Sequence, residues 1–324
     1  MKAAMRDTYG SPDVVVELRE IEKPVPADDE VLVRVRAASL NLSDWYEVTG
    51  RPYVGRVAMG LRRPKESRLG TDYAGTVEAV GKDVTQFRPG DEVFGGRTGA
   101  LAEYVTPKAD RAIVPKPANV TFEEAAAVPV AALTALQGLR DKGGLQPGQK
   151  VLINGASGGV GTFAVLIAKA LGAEVTAVCS TPNVDIARSL GADHVVDYTK
   201  EDCTRRGERY DLLIDVAGGR SWSDCKRALE PQGTLVIVGG PRKNRLLGPL
   251  GSVIRLRVGA MFGSRKAAFF IARFNKEDME LLRELLAAGK LTPVLDRRFE
   301  LSEIADAFRH MGEGHPRGKI VVTV

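Results

Sequence analysis

The sequence predicts an α/β protein with two domains, a β-rich, barrel-like domain followed by a doubly wound parallel sheet. Three observations support this fold class. At 324 residues the chain exceeds what a single hydrophobic core normally fills. Its first part alternates apolar and polar residues in short runs separated by turns, which is typical of antiparallel β structure. Its second half alternates short apolar strands with helical patterns, as a doubly wound sheet requires.

The first domain is predicted from short strands that precede any long helical pattern. These strands lie at 30–35, 75–80 and 102–105, and a turn is predicted at Pro89-Gly90-Asp91. We place the domain boundaries at 1–122, 123–268 and 269–324.

A glycine-rich turn opens the second domain. The strand 151–154 runs into this turn and then into the helical pattern 160–171. The turn has the G-x-G-x-x-G spacing with alanine in the first glycine position, and its residues are Ala156, Ser157, Gly158, Gly159, Val160 and Gly161. Such a turn lets the backbone approach a pyrophosphate, and the following helix presents free N–H groups. We therefore predict that these six residues bind a dinucleotide. The alternative is a turn that merely packs tightly.

Further strands predict the rest of the doubly wound sheet. They lie at 174–179, 194–197, 212–216 and 234–238, with a helix at 184–190 between the first two. Gly239, directly after the last of these strands, is a further candidate for contact with the cofactor.

The end of the second strand indicates which dinucleotide binds. An NAD site usually carries an acid there that accepts the ribose 2′-hydroxyl. This chain reads Cys179-Ser180-Thr181-Pro182-Asn183, and its next acid is Asp185. We therefore predict NADPH as the cofactor, with Ser180 and Thr181 donating to its 2′-phosphate and Tyr198 closing over it. The alternative is a polar strand end that touches no ligand.

Composition favours a soluble protein of a reducing compartment. The most apolar stretch, 125–136, is too short to span a bilayer and contains Pro129, so we expect a cytoplasmic location. Three cysteines without a C-x-x-C motif (Cys179, Cys203 and Cys225) argue against both a disulfide framework and a structural zinc site.

Motifs along nearly the whole chain share a known pattern. They lie at 1–4, 9–12, 41–44, 75–81, 87–93, 125–129, in the nucleotide turn and at 317–322. With these motifs the chain resembles the zinc-independent quinone oxidoreductase (zeta-crystallin-like) branch of the medium-chain dehydrogenase/reductase superfamily. The resemblance implies a GroES-like catalytic domain, completed by the C-terminal segment, and a Rossmann domain.

The superfamily also contains zinc alcohol dehydrogenases, whose catalytic metal needs three ligands of the Cys, His or Glu type. Where those members place Cys and a Gly-His-Glu run, this chain reads Leu42-Ser43-Asp44 and Gly70-Thr71-Asp72. We therefore predict no metal. Asp44 and Asp72 are interpreted as structural hydrogen-bond acceptors, and an acid/base pair is the alternative. Without a Lewis acid, quinones and α,β-unsaturated carbonyls become the favoured hydride acceptors.

The resemblance also implies site residues. Asn41 would lie near the nicotinamide, Tyr46 matches a cleft tyrosine of quinone reductases, and Tyr53 lies one residue from the proton-donating tyrosine of related enoyl reductases. Thr134 matches a threonine that touches the nicotinamide side, and Lys319 would reach the active-site end. The alternative for both tyrosines is a packed position in the barrel. The alternative for Asn41 is a hydrogen bond to the backbone of its own turn. The alternative for Thr134 is a hydrogen bond within its own helix.

These observations predict an NADPH-dependent quinone reductase. The nearest alternative reduces 2-alkenals or enoyl compounds, and one of another class is an NADPH-binding interaction or membrane-peripheral protein with little turnover. Related proteins are often dimers, so we expect a homodimer. No nucleic-acid partner is expected, because no nucleic-acid-binding motif accompanies the basic residues.

Charge is distributed unevenly along the chain. Between Pro231 and Lys276 there is no acidic residue, but there is a series of bases: Arg242, Lys243, Arg245, Arg255, Arg257, Arg265, Lys266, Arg273 and Lys276. We favour a solvated face that attracts the cofactor phosphates. Because apolar residues are interleaved with these bases, weak peripheral contact with an acidic membrane is the alternative.

Overall fold

The computed structural model describes residues 1–240, 246–248, 250–261, 263–314 and 316–324. The chain forms two compact units. Unit 1 comprises Met1–Leu133 and Arg273–Val324, and unit 2 comprises Thr134–Ala272. The units divide later along the chain than the boundaries placed at 122/123 and 268/269, which stay a prediction of the family's domain limits.

The N-terminal part of the chain is mostly strand. Its elements are β1 (Lys2–Met5), α1 (Pro12–Val15), β2 (Glu17–Glu20), β3 (Val31–Leu40), α2 (Leu42–Thr49), α3 (Arg56–Met59), β4 (Asp72–Val80), β5 (Glu92–Gly96), β6 (Tyr104–Val105), β7 (Ile113–Pro115), α4 (Phe122–Ala126) and α5 (Pro129–Gln137).

Unit 2 alternates strand and helix along most of its length. Its elements are β8 (Lys150–Asn154), α6 (Gly159–Ala170), β9 (Glu174–Cys179), α7 (Val184–Ser189), β10 (His194–Asp197), β11 (Tyr210–Asp215), α8 (Trp222–Ala228), β12 (Leu229–Ile237), α9 (Leu250–Ala260) and β13 (Lys266–Phe269). The chain then returns to unit 1 with α10 (Lys276–Ala287), β14 (Leu295–Glu300), α11 (Ile304–Glu313) and β15 (Lys319–Thr323).

Unit 1 is built on a sheet in the order β14-β15-β3-β4-β5-β7, with β6 paired to β3. Neighbouring strands are antiparallel except β14 and β15. The core takes residues from both ends of the chain, since Val33 and Val35 of β3 share one cluster with Phe308 of α11 and Ile320 of β15. The C-terminal segment therefore completes this unit.

The register of three strands brings distant residues together at one end of this sheet. Ile320 of β15 lies opposite Leu40 of β3, and Ser39 of β3 lies opposite Asp72, the first residue of β4. Residues that begin or follow these strands are therefore neighbours.

Unit 2 carries a parallel sheet in the order β10-β9-β8-β11-β12-β13. All five strand pairs are parallel. The chain starts in the middle of the sheet at β8, builds outward to β10, and returns to add β11 on the other side. This is the doubly wound order, and it puts the switch in direction at the carboxyl ends of β8 and β11, where such sheets bind ligands.

The predicted strands of unit 2 are confirmed, although β12 begins five residues before the predicted 234–238. The run predicted at 102–105 is a strand only over Tyr104–Val105, and Ala102 makes an isolated bridge to Ala3. None of the helices in the described part of the chain combines the length and apolar character needed to cross a bilayer. Three residues of the basic series, Arg242, Lys243 and Arg245, lie outside the described residues.

Candidate functional site

The turn between β8 and α6 is built to receive an anion. Gly155 has φ +89°, and a Cβ there would lie 2.9 Å from Ala217 N, so the turn requires glycine at this position. Gly158 is the N-cap of α6 and provides no side-chain acceptor for the first N–H groups of the helix. A helix start without a side-chain cap leaves its N–H groups and positive dipole end for a ligand.

The two glycines expected to admit a phosphate have different roles. A Cβ on Gly161 would come within 2.0 Å of Gly155 O, so this residue is glycine because α6 lies tightly against the turn. A Cβ on Gly158 would meet only Gly155 O, at 3.7 Å, so the protein itself leaves space there. Gly158, Gly159 and Val160 are partly exposed, whereas Ala156 and Gly161 are buried. Phosphate approach therefore falls to Gly158 and its neighbours, and Gly161 secures the packing.

Two serine hydroxyls and one amide connect this turn to the end of β9. Asn183 Nδ2 donates to Ser157 Oγ and to Ser180 Oγ, each at 3.1 Å. Because both hydroxyl oxygens accept from the amide, their own protons point elsewhere and can be donated to an anion. Asn183 Oδ1 is buried and has no hydrogen-bond partner among the described residues. The sequence placed Asn183 in this loop without assigning it a role.

The Thr181 side chain hydrogen-bonds to Asp197, an acid to which the sequence analysis gave no role. Its Oγ1 donates to Asp197 Oδ2 at 2.5 Å, and Thr199 Oγ1 donates to Asp197 Oδ1 at 2.7 Å. The hydrogen bond from Thr181 is the main reason that the pKa of Asp197 is lowered to about 2. The Thr181 hydroxyl proton is thus directed to Asp197, and the contact predicted between Thr181 and a 2′-phosphate stays a prediction. Asp197 ends β10, beside the end of β9, a neighbourhood that only the sheet order reveals.

The other predicted cofactor contacts of unit 2 lie at strand ends or on a helix. Tyr198 is 53% exposed, and its backbone N–H donates to Cys179 O at 3.0 Å. A Cβ on Gly239 would lie 2.1 Å from Val216 O, so glycine allows the chain to pass close to the end of β11. Thr134 is partly buried on α5. Their contacts with a cofactor stay predictions.

A buried acid next to the turn was also missed. Asp215 Oδ1, at the end of β11, accepts from Asn154 Nδ2 at 2.7 Å and from Gly218 N at 2.9 Å. Burial raises its pKa. Asp215 thereby fixes the ends of β8 and β11, the two strands at the switch in direction.

Unit 1 contains a second polar group of residues, which we call the Asp72 cluster: Ser39, Asn41, Asp44, Thr71, Asp72 and Lys319. Asp72 Oδ2 accepts from Asn41 Nδ2 at 2.8 Å, Ser39 Oγ at 3.1 Å and Lys319 Nζ at 3.3 Å. Asp72 Oδ1 accepts from Val130 N at 3.1 Å. Four donors on one carboxylate confirm the interpretation of Asp72 as a structural acceptor.

Lys319 is held inside unit 1. Its side chain is 3% exposed, and Nζ donates to Asn41 Oδ1 at 2.5 Å as well as to Asp72. Asn41 therefore uses its amide oxygen on Lys319 and one N–H on Asp72, which fixes the orientation of the amide. The ammonium thus lies on Asn41 and Asp72, and the cofactor contact predicted for Lys319 stays a prediction. The predicted role of Asn41 beside a nicotinamide is untested.

Asp44 caps the helix that follows Asn41. Its Oδ2 accepts from Asn41 N at 2.7 Å, and its Oδ1 accepts from Thr71 Oγ1 at 3.3 Å. This carboxyl group three residues after the N-cap satisfies the first backbone donor of α2, so its interpretation as an acceptor is also confirmed. Sequence spacing alone contained this signal, an Asn followed three residues later by an acid.

Burial sets the ionisation of the Asp72 cluster. It raises the pKa of Asp44 to about 8, with Glu47 adding to the shift. Burial also raises the pKa of Asp72 and lowers that of Lys319, while the attraction between this carboxylate and this ammonium opposes both shifts. With Asp44 neutral, one carboxylate faces one ammonium and the buried charges balance.

The predicted tyrosines lie outside the Asp72 cluster. Tyr46 is partly buried on α2, and its ring meets Trp45 edge-on at 5.8 Å between centroids. Tyr53 is 40% exposed, and the Arg56 guanidinium lies 4.8 Å from its ring centroid. The cleft position predicted for Tyr46 and the proton-donating role considered for Tyr53 stay predictions.

The Asp72 cluster does not fit a zinc ion. Among the described residues, no three His, Cys, Asp or Glu side chains gather as a metal site would require. Asp72 already accepts four hydrogen bonds, and a cation bound there would meet the Lys319 ammonium at hydrogen-bond distance. The donors already present on Asp72, Lys319 among them, therefore leave it unsuited to a metal ion.

Comparison with known proteins gives the family. Residues 27–118 match the family model described as an alcohol dehydrogenase GroES-like domain, and residues 190–322 match the model described as a zinc-binding dehydrogenase. The Triphysaria versicolor protein named quinone-oxidoreductase QR1, chloroplastic, is 35% identical over 99% of this chain and 98% of its own length. The chain belongs to the quinone oxidoreductase branch of the medium-chain dehydrogenase/reductase superfamily.

This superfamily member is an oxidoreductase, as predicted, and its fold class of a GroES-like domain with a Rossmann domain is confirmed. Mouse NAD(P)H oxidoreductase RTN4IP1, mitochondrial, is 34% identical over 100% of this chain and 89% of its own length. Tomato (Solanum lycopersicum) 2-methylene-furan-3-one reductase is 31% identical over 99% of this chain and 79% of its own length. The structure of a Coxiella burnetii quinone oxidoreductase superposes with a TM-score of 0.86 at 31% identity, covering 100% of this chain and 99% of that one.

The different roles of the two glycines lead to the first prediction. Gly161→Ala should lower the melting temperature and abolish NADPH binding together, because the added Cβ meets Gly155 O at 2.0 Å. Gly158→Ala should keep the melting temperature of the parent and weaken NADPH binding about tenfold or more, since only the ligand is crowded. Thermal unfolding and fluorescence titration measure both. Equal melting temperatures for the two variants would refute this assignment.

The Ser180 hydroxyl provides a test of coenzyme choice. In Ser180→Asp a carboxylate would repel a 2′-phosphate and accept a ribose 2′-hydroxyl, so the ratio of kcat/KM for NADPH to that for NADH should fall about tenfold or more. Ser189→Asp adds the same charge at an exposed position of α7 and is the matched control. An unchanged ratio in Ser180→Asp would place the 2′ position elsewhere.

Removal of the ammonium from the Asp72 cluster should be costly. Lys319→Met leaves the Asp72 carboxylate buried without its counter-charge, and we expect a loss of about 3–5 kcal/mol in the free energy of unfolding, measured in urea. Lys116→Met is the control, because Lys116 is also buried but its partner Glu92 is 49% exposed and can regain water. The double variant Lys319→Met/Asp72→Asn should recover part of the loss. A cost for Lys319→Met no larger than that of the control would contradict the ion pair.

The raised pKa of Asp44 predicts a dependence of stability on pH. The unfolded chain ionises Asp44 near 3.8 and the folded chain near 8, so between these values the folded state binds the extra proton and stability falls as pH rises. The Asp44→Asn variant has no carboxyl group at this position and therefore does not lose stability in this way. Its free energy of unfolding relative to the parent should therefore rise by on the order of 1 kcal/mol per pH unit across this window. Ser43→Asn, at an exposed neighbouring position of α2 that carries no titratable group, is the matched control. A flat difference for Asp44→Asn would show that Asp44 is ionised in the folded protein.

Proposed function

We propose that this oxidoreductase uses NADPH to reduce quinones and that it does so without zinc. The observation that supports the proposal is the contact of Lys319 with Asp72 at 3.3 Å, because a carboxylate already bound by an ammonium is unsuited to hold a metal ion. An acceptor that takes hydride without a Lewis acid then suits the site better than an alcohol.

Three features of unit 2 support NADPH as the coenzyme. The start of α6 would hold the pyrophosphate through its N–H groups. The Ser157 and Ser180 hydroxyls, both oriented by Asn183, can donate to a 2′-phosphate. No acid ends β9, and the nearest carboxylate, Asp197, is occupied by Thr181 and Thr199. Bound NADPH supplies the hydride, and the protein supplies orientation and exclusion of water.

Quinones are the proposed acceptors because relatives with that name match along the whole chain. The relative from Triphysaria versicolor and the solved structure from Coxiella burnetii are both named quinone oxidoreductases. A small quinone is therefore the proposed substrate. The homodimer and the cytoplasmic location stay predictions.

Reduction of an activated C=C bond is a second candidate. The observation that favours it is the tomato relative named 2-methylene-furan-3-one reductase, which matches over nearly all of this chain. The two candidates use the same hydride step and differ in the atom that receives it.

Steady-state consumption of NADPH separates these candidates. The acceptor panel comprises 1,4-benzoquinone, 9,10-phenanthrenequinone, acrolein and a 2-enoyl thioester. We expect the highest kcat/KM with a quinone, whereas a higher value with acrolein or the thioester would favour the second candidate. The double variant Gly158→Ala/Ser180→Asp, which should lose its affinity for NADPH, controls for reduction that the cofactor performs alone. Rates no higher than background on the whole panel, with NADPH bound, would instead support the alternative of a protein with little turnover.

A further inference from the structure

Helix α9 exposes a stripe of apolar side chains. Leu250, Ile254 and Val258 follow one another at intervals of four residues, and Ile254 and Val258 are 53% and 51% exposed. Met261, directly after the helix, is 76% exposed. At about 100° per residue these four side chains fall within an arc of about 80°, so they form one continuous strip.

The opposite face of α9 attaches the helix to its own unit. Val253 and Leu256 are buried in the core cluster of unit 2, together with Leu229 and Leu235 of β12. Gly259 lies so close to Trp222 of α8 that a Cβ would come within 2.6 Å of the indole ring. The helix is thus held from its opposite side, while the apolar strip stays exposed in the part of the chain that the structure describes.

Arginines border the strip on both sides. The helix can be viewed along its axis, with about 100° between successive residues. In this view Arg257 lies beside Leu250 at one edge of the strip, and Arg255 lies beyond Val258 at the other edge. Both arginines are exposed. The sequence from Pro231 to Lys276 contains no acid that could neutralise them locally.

The combination of an apolar strip with arginines at its edges favours one of three kinds of partner. A second copy of the chain, docked strip to strip about a two-fold axis, would bring the bordering arginines of both copies into one interface, where like charges repel. A nucleic acid would satisfy the arginines but would place Ile254 and Val258 against hydrated phosphates. An anionic bilayer satisfies both, because its headgroups take the arginines and its acyl boundary takes the apolar side chains.

We propose that α9 docks this protein on an anionic membrane surface, with Leu250, Ile254, Val258 and Met261 inserted into the interface and Arg255 and Arg257 at the headgroups. The docking surface goes beyond the proposed reductase activity and does not depend on it. The membrane contact considered from the charge pattern thereby becomes a surface of six named residues.

Co-sedimentation with vesicles tests the proposal on the full chain. We expect binding to phosphatidylcholine vesicles that contain one third phosphatidylglycerol, and little binding to pure phosphatidylcholine. Arg255→Gln/Arg257→Gln should weaken binding to the anionic vesicles by about fivefold for each arginine removed. Ile254→Asp/Val258→Asp should weaken it about tenfold or more, since apolar burial is lost and negative charge is added.

Matched controls keep the test specific. Val14→Asp/Val25→Asp makes the same change at two exposed valines of unit 1, and Lys82→Gln/Arg88→Gln removes two exposed bases there. Both controls should bind vesicles like the parent. All variants should keep the parent's melting temperature and its rate with a water-soluble quinone measured without vesicles, so a failure of docking is distinguishable from a failure of the proposed function.

Four results would overturn the proposal. Equal binding to anionic and neutral vesicles would remove the role of the arginines. A loss of binding in the controls as large as in the α9 variants would remove the role of the strip. Conversion of a dimer to a monomer by Ile254→Asp/Val258→Asp would assign the strip to a second copy. Binding of a single-stranded RNA that depends on the arginines but not on Ile254 and Val258 would likewise assign the surface to nucleic acid.

Discussion

The carboxylate of Asp72 is the constraint on which unit 1 depends. It accepts from side chains of two other strands, from the residue that precedes α2 and from the first turn of α5, and the three side-chain donors are buried with it. A buried carboxylate that lost these donors would be strongly destabilising. Asp72 therefore finds its donors only if the strand register, the start of α2 and the C-terminal strand β15 all form correctly. Lys319, on β15, is the last of these donors along the chain.

The same arrangement supports the proposal that this chain works without zinc. A metal site needs ligands that are free to bind and an open coordination position. Here Asp44 is tied to the backbone of Asn41, and Asp72 is saturated by donors that include an ammonium. The nucleotide turn of unit 2 has its own determinants, since Gly155 and Gly161 shape the backbone and Asp215 fixes the strands beside it. Each unit thus contributes a preorganised part of an oxidoreductase.

Local features of both sites could be predicted from the sequence. The glycine turn, the missing acid at the end of β9 and the acceptor role of Asp44 all lie within a few neighbouring residues. Contacts made through the sheets could not be predicted. Lys319 and Asp72 are 247 residues apart and meet only because β15 pairs with β3 and β3 with β4. Asp197 meets Thr181 only because β10 lies beside β9. The exposure of α9 likewise follows from which of its faces packs on unit 2.

The most direct test of hydride transfer without a metal is the zinc content of the active protein. The chain would be produced in zinc-supplemented medium, and metal per chain would be measured by plasma mass spectrometry beside quinone-dependent oxidation of NADPH, before and after treatment with a chelator. We expect far less than one zinc ion per chain and an unchanged rate. One zinc ion per chain, lost together with activity on chelation, would contradict this account.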